Sequence, residues 1–357
     1  AVLPPNEAPE QATDVPRKEH RRLWCALHLL AVVAMLGIAA AVRLYRLDDE
    51  AVWGDEIASY QHLDAPDLGA FLRAERADDS MMTPVYFCVE YGWARLWGRS
   101  VTTVRLLSVV VGLLTAVALY VLTRRLFGPV AGLVALLFYA LSPTHVYYDQ
   151  EIRMYCLVLL FAVLSMHTFY MWTQRSTPIW LAANLLLNAL LAWTHLLALL
   201  ATVAQGLYLV LDYRIDARRT LAWFVAHASI PVGIVFWMLA VRPPEIEDAT
   251  SWIADWGNGW QLFITLTGAY TCVTEGVARH PWLPWSLVAL MALATGWAWW
   301  GRRERHGQNE RLGKVTLVLL WAVAPPIVLF VAATFVTPCF VKRYVLHSSL
   351  AVYMLVG

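Results

Sequence analysis

Charge is scarce in this chain. Asp, Glu, Lys and Arg make up 15% of its 357 residues, against about 25% in an ordinary soluble domain. The few charges also balance, 27 basic against 26 acidic, so no basic surface marks a nucleic-acid partner. Cysteine is sparse as well: the five lie at positions 25, 88, 156, 272 and 339. None is paired at the spacing of a zinc module or a disulfide framework. Internal repeats are missing too, which argues against a transporter built from duplicated halves.

Apolar residues fill the space that charge leaves. AVILMFWYC residues are 59% of the chain, and a soluble fold of this size cannot bury that much apolar surface. The expected solvent is a lipid bilayer. Arg17, Lys18, Arg21 and Arg22 precede a first apolar run from Leu23 to Val42, long enough to cross the hydrocarbon core. No small-residue cleavage site follows it, so it reads as an uncleaved anchor. Further runs lie near 101–123, 129–144, 152–172, 178–195, 196–211, 220–241, 283–300 and 315–336, and a last begins near 344. The fold class expected is an all-α polytopic membrane protein with about 10 transmembrane helices in view. Residues 1–22, four prolines among the first 16, are expected to be a disordered cytoplasmic tail. Residues 23–242 form a first module, and 243–357 a second outer loop with further spans. The last run is too short to span before Gly357, so more chain is expected beyond it.

Lys and Arg fix the expected orientation, because short cytoplasmic loops carry the excess. With the N-terminus inside, 15 of the 27 basic residues fall on the cytoplasmic side and 18 of the 26 acids on the other. This parity requires residues 84–98 to lie along the outer interface. Two outer connections are then long, 43–100 and 242–282, and long loops in compact proteins carry function. The chemistry is expected on the extracytoplasmic face.

In the first long loop, Trp53 and Gly54 precede Asp55 and Glu56. Adjacent carboxylates near an aromatic wall raise each other's pKa, which suits one for general-base work. A solvated acidic loop is the competing reading, given Asp48, Asp49 and Glu50 nearby. A second constellation runs from Ser142 to Tyr155. Pro143 ends one helix and Asp149 can cap the next, which places Arg153 in a first helical turn whose positive end favours an anion. An Asp149–Arg153 pair, or an arginine snorkelling to headgroups, is the alternative. Arg105, Lys342 and Arg343 occupy similar helix starts, so these ends can converge on one lipid phosphate. His195 ends a span at the same level and reads by itself as an interfacial residue.

In order along the chain stand Trp53-x-Asp55-Glu56; Pro84, Tyr86 and Phe87; Arg105, Leu106 and Ser108; Arg124 to Gly128; Leu141 to Tyr155; Thr194 and His195; and Arg343 and Tyr344. This order resembles the integral-membrane GT-C glycosyltransferases, in particular the protein O-mannosyltransferase and aminoarabinose transferase group. The resemblance covers residues 40 to 210 well and the rest loosely. It implies interfacial helices in the first outer loop and an active site on the non-cytoplasmic face of a bacterial inner membrane. The reaction it implies is transfer of one sugar from a polyprenyl-phosphate donor to a protein, lipid or glycan acceptor. By motif match Asp55 is the base and Glu56 helps to hold the acceptor. Arg153 and Arg343 contact the donor phosphate with Arg105 and Lys342, while Trp53, Gln150, Glu151, Tyr155, His195 and Tyr344 line the substrate pocket. The residues specify no metal ligand set, and a divalent cation stays open. Direct attack on the anomeric carbon implies inversion, by analogy with inverting hydrolysis. Met82-Thr83-Pro84 stands where relatives often have His-Pro-Pro, Asp149 where Ser is common, and His347 and Ser348 where proline is common after Arg-Tyr. These departures bear on the identity of sugar and acceptor. A catalytically silent scaffold subunit of a membrane complex is the second reading.

Overall fold

A computed structural model describes residues 14–49, 51–78, 83–212, 215–241, 309–335 and 341–357. The expected span at 283–300, the second long loop and Met82 lie outside these residues. Within them the chain is helical and holds no strand. Five helical stretches are long and apolar enough to cross a bilayer: His20–Leu44, Val101–Phe127, Tyr155–Arg175, Ala217–Ala240 and Leu312–Ala332. Helices are what a bilayer permits, because each satisfies its backbone polar groups internally.

The elements are α1 Asp14–Leu44, α2 Gly54–Tyr60, α3 Leu68–Asp78, α4 Pro84–Trp97, α5 Val101–Phe127, α6 Pro129–Leu141, α7 Pro143–Tyr148, α8 Tyr155–Arg175, α9 Pro178–Thr194, α10 Leu200–Leu211, α11 Ala217–His227 and α12 Ser229–Val241. After the undescribed stretch come α13 Asn309–Phe335 and α14 Leu346–Val356, the latter entered through a 3-10 turn, Lys342–Val345. Helix α1 begins at Asp14, so it takes in residues that composition assigns to the tail.

Proline sets several starts: Pro84, Pro129, Pro143 and Pro178 each stand in the first turn of a helix, where the missing N–H is no loss. Gly98 and Gly128, at φ +104° and +107°, end α4 and α5 in a backbone region that favours glycine. Helices α5 and α8 form the centre, with α6 and α14 on one side and α9 on the other. Their facing sides, including Leu119, Leu122, Leu159 and Phe169, are fully buried. The first loop folds as α2, α3 and α4, and α4 packs against α5 and α9. This brings α2 to the end of the bundle where α1 stops and α5 and α8 start.

A buried amide network ties α8, α9, α10 and α11 together. Asn184 Nδ2 and Asn188 Nδ2 donate to Gln205 Oε1 at 3.2 and 3.0 Å, Gln205 Nε2 donates to Ser165 Oγ at 2.7 Å, and Trp223 Nε1 donates to Asn184 Oδ1 at 2.9 Å. Such pairs hold helices together where no hydrophobic force distinguishes a neighbouring helix from lipid.

Candidate active site

Helix α1 ends in a buried arginine. Arg43 is wholly enclosed; its Nε donates to Asp149 Oδ2 at 2.8 Å, and its Nη atoms donate to the Ala39, Ala140 and Tyr139 carbonyls. Tyr139 Oη also donates to Asp149 Oδ2, at 2.8 Å. Asp149 therefore neither caps α8 nor pairs with Arg153: it follows α7, and α8 begins only at Tyr155. Arg153 lies in the irregular turn just before α8, not in its first turn as the sequence suggests. The Arg43–Asp149 pair fixes this turn against α1. Gln150 Nε2 adds hydrogen bonds to the Arg43 and Tyr45 carbonyls at 2.9 and 3.1 Å.

Asp55 and Glu56 occupy the first turn of α2, where a helix favours carboxylates. Successive helical side chains diverge by about 100°, so the two separate. Glu56 turns inward, 1% exposed. Arg105 grips it in two-point fashion, Nε to Oε1 at 3.1 Å and Nη2 to Oε2 at 2.7 Å, and donates through Nη1 to the Leu47 carbonyl at 2.9 Å. The Ile152 N–H donates to Glu56 Oε1 at 2.9 Å. This corrects two expectations: Arg105 is not poised for a phosphate, and both Glu56 oxygens are engaged inside the fold rather than turned to an acceptor. A buried guanidinium needs a permanent counter-ion, and Glu56 supplies it.

Asp55 turns the other way and is half-buried. Arg343 Nη1 donates to its Oδ2 at 2.9 Å. Arg153 Nη1 donates to the Asp55 carbonyl and to Ser59 Oγ, both at 3.0 Å. Ser59 lies one turn after Asp55 on α2, a spacing that marks a shared face, although no motif singles it out. The Arg153 Nε is buried without a hydrogen-bond partner among the described residues. Tyr155 and Tyr344 flank the Arg343 guanidinium at 5.6 and 5.9 Å, and the His195 ring stands 4.8 Å from that of Tyr344. Burial, then the neighbouring tyrosines and Asp55, govern the Arg343 guanidinium, whose pKa the anionic partners raise overall. Lys342 starts the same 3-10 turn, but its side chain lies outside what the structure describes. Asp55, Arg153, Arg343, Tyr155, Tyr344 and His195 therefore come together, while Arg105 stands on the Glu56 side.

That side opens into a cleft of about 310 Å³, lined by Tyr45, Trp53, Glu56, Tyr147, Gln150 and Glu151 among others. Trp53 Nε1 donates to Glu151 Oε1 at 3.1 Å, and Ser108 Oγ donates to the Glu151 carbonyl at 2.5 Å. Burial pushes the Glu151 carboxyl up to about 7, against the opposing pull of Tyr147, Trp53 and Arg153. Burial also drives Glu90, on α4, well above the usual carboxylate range, with Glu75 adding to the shift and Arg153 opposing it. Among the described residues no three His, Cys, Asp or Glu side chains converge on a cation site, so they supply no evident holder for a divalent metal.

Comparison with known proteins bears on the fold. The dolichyl-phosphate-mannose-protein mannosyltransferase family profile matches residues 82–240. ArnT from Cupriavidus metallidurans in the apo state superposes with a TM-score of 0.58 at 16% identity, covering 94% of this chain and 59% of ArnT. The same protein bound to undecaprenyl phosphate gives 0.56 at 15%, covering 93% and 59%. The apo Archaeoglobus fulgidus oligosaccharyltransferase gives 0.51 at 12%, covering 92% of this chain and 50% of that one. No curated protein sequence matches. The chain thus spans under two thirds of these solved relatives. The chain shares the fold of these solved proteins and carries helices long and apolar enough to cross a bilayer.

Proposed function

We propose that the chain transfers a single sugar from a polyprenyl-phosphate donor to an acceptor hydroxyl at the extracytoplasmic membrane face, with inversion at the anomeric carbon. The observation that carries this reading is the meeting at Asp55 of two half-buried guanidinium groups, Arg153 and Arg343, from positions 98 and 288 residues away. ArnT, which shares the fold, has been solved with undecaprenyl phosphate. Match of the segment to the mannosyltransferase profile agrees with a lipid-linked sugar donor.

The chemistry follows from what each group can exchange. A phosphate oxyanion competes for Arg343, which binds anions in two-point fashion, and so releases Asp55 from its ion pair. The Arg153 Nε, with no partner of its own, is available to the same anion. Asp55 then takes the acceptor hydroxyl proton as the acceptor oxygen forms its bond to the anomeric carbon. The bond from that carbon to the donor phosphate breaks, and the electron pair leaves on the phosphate. Stabilising that developing charge is the larger catalytic contribution, which assigns it to the two arginines. Tyr155, Tyr344 and His195 wall the site.

The test uses the full chain in lipid nanodiscs with undecaprenyl phosphate as the probe. Arg153→Ala is expected to weaken binding by roughly 10- to 100-fold, the worth of one charged hydrogen bond. Asp55→Asn should keep the lipid and lose transfer by about 100-fold or more. Wild-type affinity in Arg153→Ala, or undiminished turnover in Asp55→Asn, refutes the assignment.

A further inference from the structure

The cleft beside Glu56 holds groups that the phosphate site does not use. Three aromatic side chains at it are unusually open: Tyr45 is 70% exposed, Trp53 40% and Tyr147 43%. Aromatic residues at a membrane interface are commonplace. Here, however, Trp53 is tied by its Nε1 to Glu151, a residue only 4% exposed, and the three rings border one small cavity.

The polar inventory of the cleft selects its ligand. Its two arginines are neutralised within the wall: Arg46 pairs with Asp49, and Arg105 pairs with Glu56. The cleft is therefore a poor site for a phosphate. Gln150 spends its Nε2 on backbone carbonyls, which leaves its Oε1, an acceptor, with no hydrogen bond from the described residues. Glu151 Oε1, which accepts from Trp53 Nε1, has a second lone pair to offer. Acceptors beside aromatic faces suit a ligand with many O–H donors and apolar C–H faces, which is a sugar ring. A volume near 310 Å³ lies at the small end of ligand pockets and suits one ring better than a peptide segment.

Position completes the argument. Trp53 is the N-cap of α2 and Asp55 its second residue, so their Cα atoms lie within about 7.6 Å. A ring stacked on Trp53 therefore sits at the start of the helix that carries Asp55. We propose that this cleft is the acceptor subsite and that its occupant is a neutral pyranose, its face on Trp53 and its hydroxyls donating to Glu151 and Gln150. The acceptor is then a glycan or glycolipid sugar rather than a serine or threonine side chain. The word acceptor here rests on the transferase reading; the sugar-binding cleft itself does not.

The test is saturation-transfer NMR titration of the full chain in nanodiscs. The probes are methyl α-mannopyranoside, methyl α-glucopyranoside, methyl α-galactopyranoside and N-acetylglucosamine. At least one should bind saturably, with affinity lowered about tenfold by Trp53→Ala and by Glu151→Gln and retained in part by Trp53→Phe. The heat-denaturation midpoint of each variant separates lost binding from lost folding. Failure of all four sugars to saturate, or full affinity in a folded Trp53→Ala, overturns the proposal. Displacement of the bound glycoside by undecaprenyl phosphomannose reassigns the cleft to the donor sugar and overturns it as well. Arg153→Ala separates the two readings: if undecaprenyl phosphate binding ignores that change while the glycoside still needs Trp53, the donor assignment falls and the sugar cleft stands. If the lipid responds and no sugar binds, only the cleft falls.

Discussion

Replacing Arg105 decides whether this arginine braces the site or binds the donor. In the structure its guanidinium makes two contacts to Glu56, at 3.1 and 2.7 Å, and one to the Leu47 carbonyl at 2.9 Å, with the two side chains 4% and 1% exposed. Removing it by Arg105→Met leaves the Glu56 carboxylate enclosed, with the Ile152 N–H as its main remaining partner. Breaking a buried ion pair from one side costs about 3–5 kcal/mol, chiefly through the stranded charge. Glu56→Leu should cost a similar amount for the opposite reason. The combined Glu56→Leu and Arg105→Met variant strands no charge, so it should recover most of the loss, as apolar replacements of buried pairs often do. Heat-denaturation midpoints of the four proteins in nanodiscs form a double-mutant cycle. The expected order is wild type and double variant together, both single variants well below. Undecaprenyl phosphate affinity, measured on folded protein, should change little in the double variant. If Arg105→Met keeps the wild-type midpoint and loses lipid affinity instead, Arg105 binds phosphate and the bracing argument is wrong.

Two further predictions concern stability. The Glu151 carboxyl is raised from 4.5 to about 7 by burial, so the folded chain holds a proton there that the unfolded chain releases; Glu151 therefore withdraws stability as pH rises from about 4.5 to about 7 and no more beyond. Comparing wild type with Glu151→Gln across pH 4 to 8 isolates this contribution, and a difference that is flat or opposite in sign contradicts it. Gly112→Ala would set a Cβ 2.4 Å from the Asp149 carboxyl carbon. Although alanine gains about 1 kcal/mol of helix propensity, overpacking against the Arg43 pair should lower stability by about 1–3 kcal/mol, and a higher denaturation midpoint for this variant contradicts the close approach.

Helix positions were largely legible because bilayer burial writes itself as long apolar runs. The runs at 101–123 and 152–172 correspond to α5 and α8, and the shorter ones at 129–144 and 178–195 to α6 and α9, each started by a proline. The turn at 149–154 was less legible. Asp149 followed a helix end and preceded an apolar run, which is the local signature of an N-cap. Its actual partner, Arg43, is 106 residues away, and no periodicity reports a contact of that range. The same holds for Arg105 with Glu56 and Arg343 with Asp55, separated by 49 and 288 residues. Ordered motifs identified the participants without saying which of them pair.

Burial sorts these cations by what they can do. Arg43 and Arg105 are 0% and 4% exposed, and each is held by a carboxylate and by backbone carbonyls. Exchanging such a counter-ion for a mobile ligand would first strand two charges inside the protein, at several kcal/mol each. Arg153 and Arg343 are only half-buried, so water can accompany a change of partner. Arg153 has no carboxylate hydrogen-bonded to it among the described residues, and Arg343 shares Asp55, whose side chain is 32% exposed. An incoming phosphate can therefore displace Asp55 from Arg343 without leaving either group dry. The same exchange that binds the anion frees the carboxylate, which makes binding of the donor the event that readies the proposed base.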